Sequence, residues 1–157
     1  MLPKYHIIAG GVLAAVLFLF FGVNLTRAAA IFIGSFIIDI DHLFYYYYYT
    51  KKSMNLRAAH RWFILQQEEF RKMNEQEKKR YKKPIFIFHG IEFWSLLILC
   101  SFFIPLFWWL LIGIAIHLLM DYIEIFYVHD PLYMKLSLIA VVIKNRNKPG
   151  WNSKDLK

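Results

Sequence analysis

The sequence predicts an all-α, polytopic membrane protein: a bundle of four transmembrane helices with a basic amphipathic cytoplasmic helix between the second and third spans. Three observations lead there. Hydrophobic residues make up 59% of the 157 residues, well above the 45–50% or so of a soluble domain. The apolar residues gather into four runs near the length that crosses a bilayer. The positive charge gathers between and beyond those runs rather than along them. The length allows one domain, 1–143, followed by a basic tail, 144–157.

The first span is 6–23, broken only by glycines. Eighteen residues is about the minimum for crossing. Its apolar core is longer than that of a secretory signal, and Asn24, Thr26 and Arg27 interrupt before the small residues that follow, so it reads as a retained helix. The second span is 28–49 and ends in five consecutive tyrosines, Tyr45 to Tyr49, which suit a membrane interface. Loop 50–83 differs in kind. It carries eleven of the nineteen Lys and Arg residues, while Leu56, Ala59, Phe63, Phe70 and Met73 recur at roughly helical spacing. This is the pattern of a helix lying on a membrane surface. Pro84 opens a third span, 85–104, and Pro105 separates it from a fourth, 106–128. The apolar piece 132–143 is too short to cross and reads as interfacial. The polar tail from Lys144 reads as disordered.

Four crossings place both termini and loop 50–83 on one side. Arg27 is the one basic residue among the connections on the other side, so the positive-inside rule makes the former face cytoplasmic. The chain is then integral to the cell's inner membrane, with N- and C-termini cytoplasmic. Its net charge of +8 is directed at anionic lipid headgroups, and membrane lipids rather than nucleic acid are the expected partners. Cys100 is the single cysteine and sits in an apolar run, where it packs.

Against this background Asp39-Ile-Asp41-His42 stands out. A carboxylate near the middle of a membrane helix costs on the order of 2.5–3.5 kcal/mol. Other polar residues interrupt the spans too: His6, His89, Glu92, His117, Asp121 and Glu124. In the four-span topology every one of them falls in the cytoplasmic half of its helix, although successive helices run in opposite directions. Asp39 and His42, His89 and Glu92, and His117 and Asp121 are spaced three or four apart, so each pair shares one helical face. Asp41 lies about 200° around a regular helix from Asp39. Asp39, which shares a face with His42, is then the expected inward carboxylate unless the helix is distorted.

Histidine and carboxylate pairs on inward faces are how helical bundles build metal sites. Without cysteine, such a set suits zinc, and also manganese or iron. The expected ligands are Asp39, His42, His89, His117 and Asp121, with Asp41 or Glu92 as general base or further ligand. A metal at that depth activates water and neutralises a phosphate, so an amphiphilic substrate with its headgroup at the interface is expected. His6 alone reads equally well as a satisfied polar residue. Glu124 reads as a snorkelling or lysine-paired group, and His60 and His129 read as non-ligands. The sequence holds no HExxH pair, no phosphate-binding glycine loop and no serine nucleophile elbow.

The pattern Gly34-Ser35-x-x-x-Asp39-Ile-Asp41-His42, with His89 opening a span and His117-x-x-x-Asp121 closing one, resembles the YdjM-like family of membrane-bound metal-dependent hydrolases. Those proteins are distantly similar to zinc-dependent phospholipase C. The resemblance covers most of the chain outside the basic loop and tail, and His6 matches the family's early histidine. It implies a zinc-type site formed by His6, Asp39, Asp41, His42, His89, His117 and Asp121. The chain departs from the pattern before the third span. Where many members carry His-Arg-Gly-x-Thr-His-Ser, it has Phe88-His89-Gly90-Ile91-Glu92-Phe93-Trp94. Glu92 then either replaces a ligand or marks an altered site.

The leading expectation is a metal-dependent hydrolase acting on a phosphoester or lipid-headgroup bond at the cytoplasmic interface. The alternative is a non-enzymatic metal-binding membrane protein, in transport or as an accessory subunit. It needs a path across the membrane, and the outer halves of the spans offer only Ser95 and Ser101. A scaffold whose basic helix recruits a partner is a third reading.

Overall fold

A computed structural model describes residues 3–51, 54–128 and 132–150, and every regular element among them is a helix. In chain order these are α1 (Pro3–Phe21), α2 (Leu25–Ile37), α3 (Ile40–Thr50), α4 (Leu56–Lys72), α5 (Glu75–Arg80), α6 (Ile91–Ser101), α7 (Leu106–Val128), α8 (Tyr133–Leu136) and α9 (Leu138–Asn145). Three stretches are long and apolar enough to cross a membrane: Lys4–Phe21, Leu25–Thr50 (α2 and α3 together) and Leu106–Tyr127. The expected third span shrinks to α6, whose 11 residues fall short of the roughly 20 that a crossing helix uses.

The reason lies before α6. The backbone N–H of Phe88 is donated to the side chain of Asp41, at 2.6 Å, so it is withdrawn from helical bonding. Gly90 then takes an extended conformation as the N-cap. His89 therefore sits in a turn ahead of the helix rather than in its first turns.

Helices α1, α2 and α7 form the packed heart of the molecule. Small residues let them approach. A Cβ on Gly34 would collide with the carbonyl of Leu110, and one on Gly113 with the carbonyl of Ile31. The core between α2, α6 and α7 is Ile38, Leu97, Ile114 and Leu118. Outward, α1 presents Leu19, Phe20 and Phe21 almost bare, an apolar exterior of the kind lipid covers. Arg27 at the start of α2 stacks on Trp109 near the start of α7, and Phe102 beyond α6 meets Trp108. These contacts gather the far ends of the helices.

The basic loop folds as two helices. Asn55 caps α4 through Arg57 and Ala58 N–H, and Asn74 with Glu77 forms a capping box on α5. The apolar face of α4 lies on α3, where Trp62 and Phe63 meet Tyr45 and Trp62 also meets the buried Tyr46. Part of the tyrosine run is thus interior rather than an interfacial belt. Of the tail expected to be disordered, residues 144–150 are placed against the body, and residues 151–157 lie outside the described residues. Asn145 exchanges two hydrogen bonds with the backbone of Lys83, and Lys82 N–H is donated to Pro149 O.

Candidate metal centre

Six of the side chains singled out in the sequence converge near one end of the α1–α2–α7 bundle. His6 comes from α1, Asp39 and His42 from the α2–α3 junction, His89 from the turn before α6, and His117 and Asp121 from α7. His6, His89, His117 and Asp121 are all completely buried. The polar atoms fall into two groups, His6–His117–Asp121 and Asp39–His42–His89. In each, one potential ligand atom per residue lies within 4.8 Å of the others. The groups adjoin, because Asp121 Oδ2 is 3.4 Å from His89 Nε2 and Asp39 Oδ1 is 3.6 Å from His117 Nε2.

The α2–α3 junction makes this possible. Around Ile38 and Asp39 the helix tightens: Asp39, Asp41 and His42 N–H are donated to Phe36, Ile38 and Asp39 carbonyls, each three residues back. The distortion turns both carboxylates toward the histidines. The expectation that only Asp39 faces inward holds for a regular helix and does not hold here. Asp39 approaches His117 and His42, while Asp41 is buried against His89, with Oδ2 3.2 Å from Nδ1.

The two sides of the histidine rings differ. His117 Nδ1 is 2.7 Å from the carbonyl of Ser35, and His89 Nδ1 faces the Asp41 carboxylate. Both partners accept, so each Nδ1 carries the proton and each Nε2 presents a lone pair. Those Nε2 atoms are buried and hydrogen-bonded to nothing, as are both nitrogens of His6 and Oδ2 of Asp39. Burying such groups unsatisfied is costly. Their neighbours stand too far for good hydrogen bonds: His117 Nε2 to Asp121 Oδ2 is 3.3 Å, His89 Nε2 to Asp121 Oδ2 is 3.4 Å, and His6 Nε2 to Asp121 Oδ1 is 3.5 Å. Ligands about 2.0–2.1 Å from a tetrahedral cation are separated by roughly 3.3–3.4 Å. The donor set thus fits a divalent cation. Charge agrees: three carboxylates, Asp39, Asp41 and Asp121, gather here, and the buried Lys135 places its Nζ 2.7 Å from Asp121 Oδ1.

The remaining sequence candidates are placed as follows. Asp41 contacts the outer side of His89 and orients it, instead of joining either group. Glu92 is not brought in. Its carboxylate accepts from Ser137 Oγ and from Leu138 and Ile139 N–H at the start of α9, so the expected base or ligand is a helix cap. His42 is partly exposed, stacked on Phe86, and borders a cleft that Glu124 also lines. His60 is exposed and away from the cluster; His129 lies outside the described residues. Two contributors escaped the sequence: the carbonyl of Ser35, which carries no side-chain signal, and Lys135, one charge among many on the basic side. In comparisons with protein families, curated proteins and solved structures, the chain matches none.

Proposed function

We propose that the chain is a metal-dependent hydrolase that cleaves a phosphoester or lipid-headgroup bond at the cytoplasmic face of the inner membrane. The observation that carries this reading is the pair of buried Nε2 atoms of His89 and His117, each with its opposite nitrogen fixed by an acceptor and each without a hydrogen bond of its own. Outer partners of this kind orient metal-ligating histidines. His6, His117 and Asp121 hold one cation, and Asp39, His42 and His89 provide for a second. Zinc suits the set best, with manganese or iron as alternatives.

A divalent cation held there supplies Lewis acidity toward a phosphoryl oxygen. The chain's own part is positioning and proton transfer. Asp41 keeps His89 in one tautomer, and the Ser35 carbonyl does the same for His117. Asp39 Oδ2, buried without a hydrogen-bond partner, would accept the proton of the attacking water as its oxygen bonds to phosphorus, and return it to the ester oxygen as that P–O bond breaks and the alcohol leaves.

In this reading the chain crosses four times, N- and C-termini cytoplasmic, with α6 as a short crossing antiparallel to α7 and α4 on the cytoplasmic surface. The bilayer thins locally to meet a short span. The test is hydrolysis itself. Detergent-purified protein loaded with zinc or manganese is given micelles of phosphatidate, phosphatidylglycerol and lysophospholipid, and released phosphate or headgroup is measured. The expected result is turnover abolished by chelator and lost in Asp39→Asn. Turnover that survives Asp39→Asn removes Asp39 as base. No hydrolysis of any phosphoester by metal-loaded protein contradicts the assignment.

A further inference from the structure

Beside the metal centre runs a cleft of about 150 Å³ between α3, α4, the 82–86 segment, the end of α7 and α8. Its walls differ in chemistry. Tyr45, Trp62 and Phe63 supply an aromatic side, Arg71 and Lys82 a basic rim, and His42 and Lys135 the boundary with the metal centre. The volume is many times the minimum that holds one water. That accommodates a headgroup, with any chain left to follow the aromatic wall.

Lys135 is unusual among the chain's cations. Most of the described ones are exposed; Lys83 and Lys135 are buried, and Lys135 lies against a candidate ligand. Lysine is rarely buried without a fixed partner. One partner is Asp121, at 2.7 Å. An ammonium carries three N–H donors, and the same side chain forms part of the cleft. Lys135 therefore touches both the candidate ligand and the space a substrate would enter. Lys135 gives Asp121 Oδ1 its short charged contact, and with three N–H donors the same ammonium can also serve an acceptor on the cleft side. The placement suits a cation that meets an anion delivered through the cleft.

We propose that this cleft is the substrate pocket, that it takes a phospholipid with an exposed anionic phosphate, and that Lys135 contacts that phosphate while Trp62 and Phe63 contact the adjoining chain. This rests on the hydrolase reading and names its substrate class. Basic residues at the rim draw the anionic headgroup in. The aromatic side favours a phosphate that carries an apolar chain over free phosphate.

The test uses the full chain purified in detergent, with metal content determined first. Binding of three probes is then measured: inorganic phosphate, short-chain phosphatidate, and diacylglycerol with the same chains. Wild-type protein is expected to bind phosphatidate at least tenfold more tightly than either other probe. Lys135→Gln is expected to weaken phosphatidate at least tenfold with metal content unchanged, and Lys135→Arg to retain most of the affinity. Trp62→Ala is expected to reduce the preference for phosphatidate over inorganic phosphate at least fivefold, with inorganic phosphate binding unaltered. Wild-type affinity in Lys135→Gln overturns the proposal. So does loss of metal in that variant, which would make the lysine a support for Asp121. Equal binding of inorganic phosphate and phosphatidate by wild type overturns the lipid assignment. Wild-type protein without metal that still loses phosphatidate in Lys135→Gln overturns the hydrolase reading, and with it the substrate role, and leaves the cleft as a phospholipid-binding site.

Discussion

His89 and His117 divide the carboxylates of this protein by role. Asp41 faces the protonated side of His89, whereas Asp39 and Asp121 face the bare nitrogens. The two classes should respond differently to substitution. Asp41→Asn is expected to lower metal affinity by roughly 10–100-fold while the protein still loads at saturating metal, measured by competition with a chromogenic chelator. Asp39→Asn should instead lower the bound stoichiometry. Equal behaviour of the two variants would contradict the division. Glu92→Gln leaves stoichiometry unchanged but costs about 1–3 kcal/mol of stability through weakened charged hydrogen bonds to α9, read as a lower thermal midpoint. His117 and Asp121 were legible as a pair because a spacing of four puts them on one face of α7; His89 and Glu92 share no helical face, since His89 precedes α6. The roles were not legible, since Glu92 meets α9 only by a contact 45 residues along the chain.

At the scale of elements, the site depends on a break and a close approach. The tightened turn at Ile38–Asp39 presents two carboxylates that a straight helix would place on different faces. Nothing local in Ile-Ile-Asp-Ile-Asp announces that turn, which contains no Gly or Pro; the inward carboxylates and their histidine neighbours are tertiary. The shortening of α6 has the same origin, because the Phe88 N–H goes to Asp41. The close approach of α2 and α7 rests on Gly34 and Gly113, whose spacing in sequence carries no mark of which helix each meets. Gly113→Val forces a methyl-bearing carbon into the Ile31 carbonyl. Overpacking of this kind costs about 1–3 kcal/mol or more. A fall in thermal midpoint together with loss of bound metal is expected, because His117 lies one helical turn further along α7. Unchanged metal content in a correctly folded Gly113→Val protein would show that α2–α7 spacing does not set the site.

For the whole molecule, apolar runs and charge asymmetry made the all-helical architecture and three crossing-length helices legible. Six of the polar residues that interrupt the apolar runs meet in the fold, while Glu92 and Glu124 stand outside both groups. The sequence did not disclose the folding of α4 onto α3, nor the pinning of residues 145–149 to Lys82 and Lys83, since both depend on long-range contacts. Sidedness has a direct check. In a Cys100→Ala background, Asn24→Cys should react with an impermeant thiol reagent from outside intact cells and Gln76→Cys only in inverted vesicles; labelling of both from one side would contradict four crossings. In the proposed function the buried histidines and carboxylates hold a divalent cation. Elemental mass spectrometry of detergent-purified protein, prepared with metal present in excess, tests it most directly. Wild-type protein is expected to carry one or two divalent ions per chain, lost in His42→Ala or His117→Ala, with His117→Ala the more severe. A wild-type protein that is folded and metal-free under those conditions contradicts it.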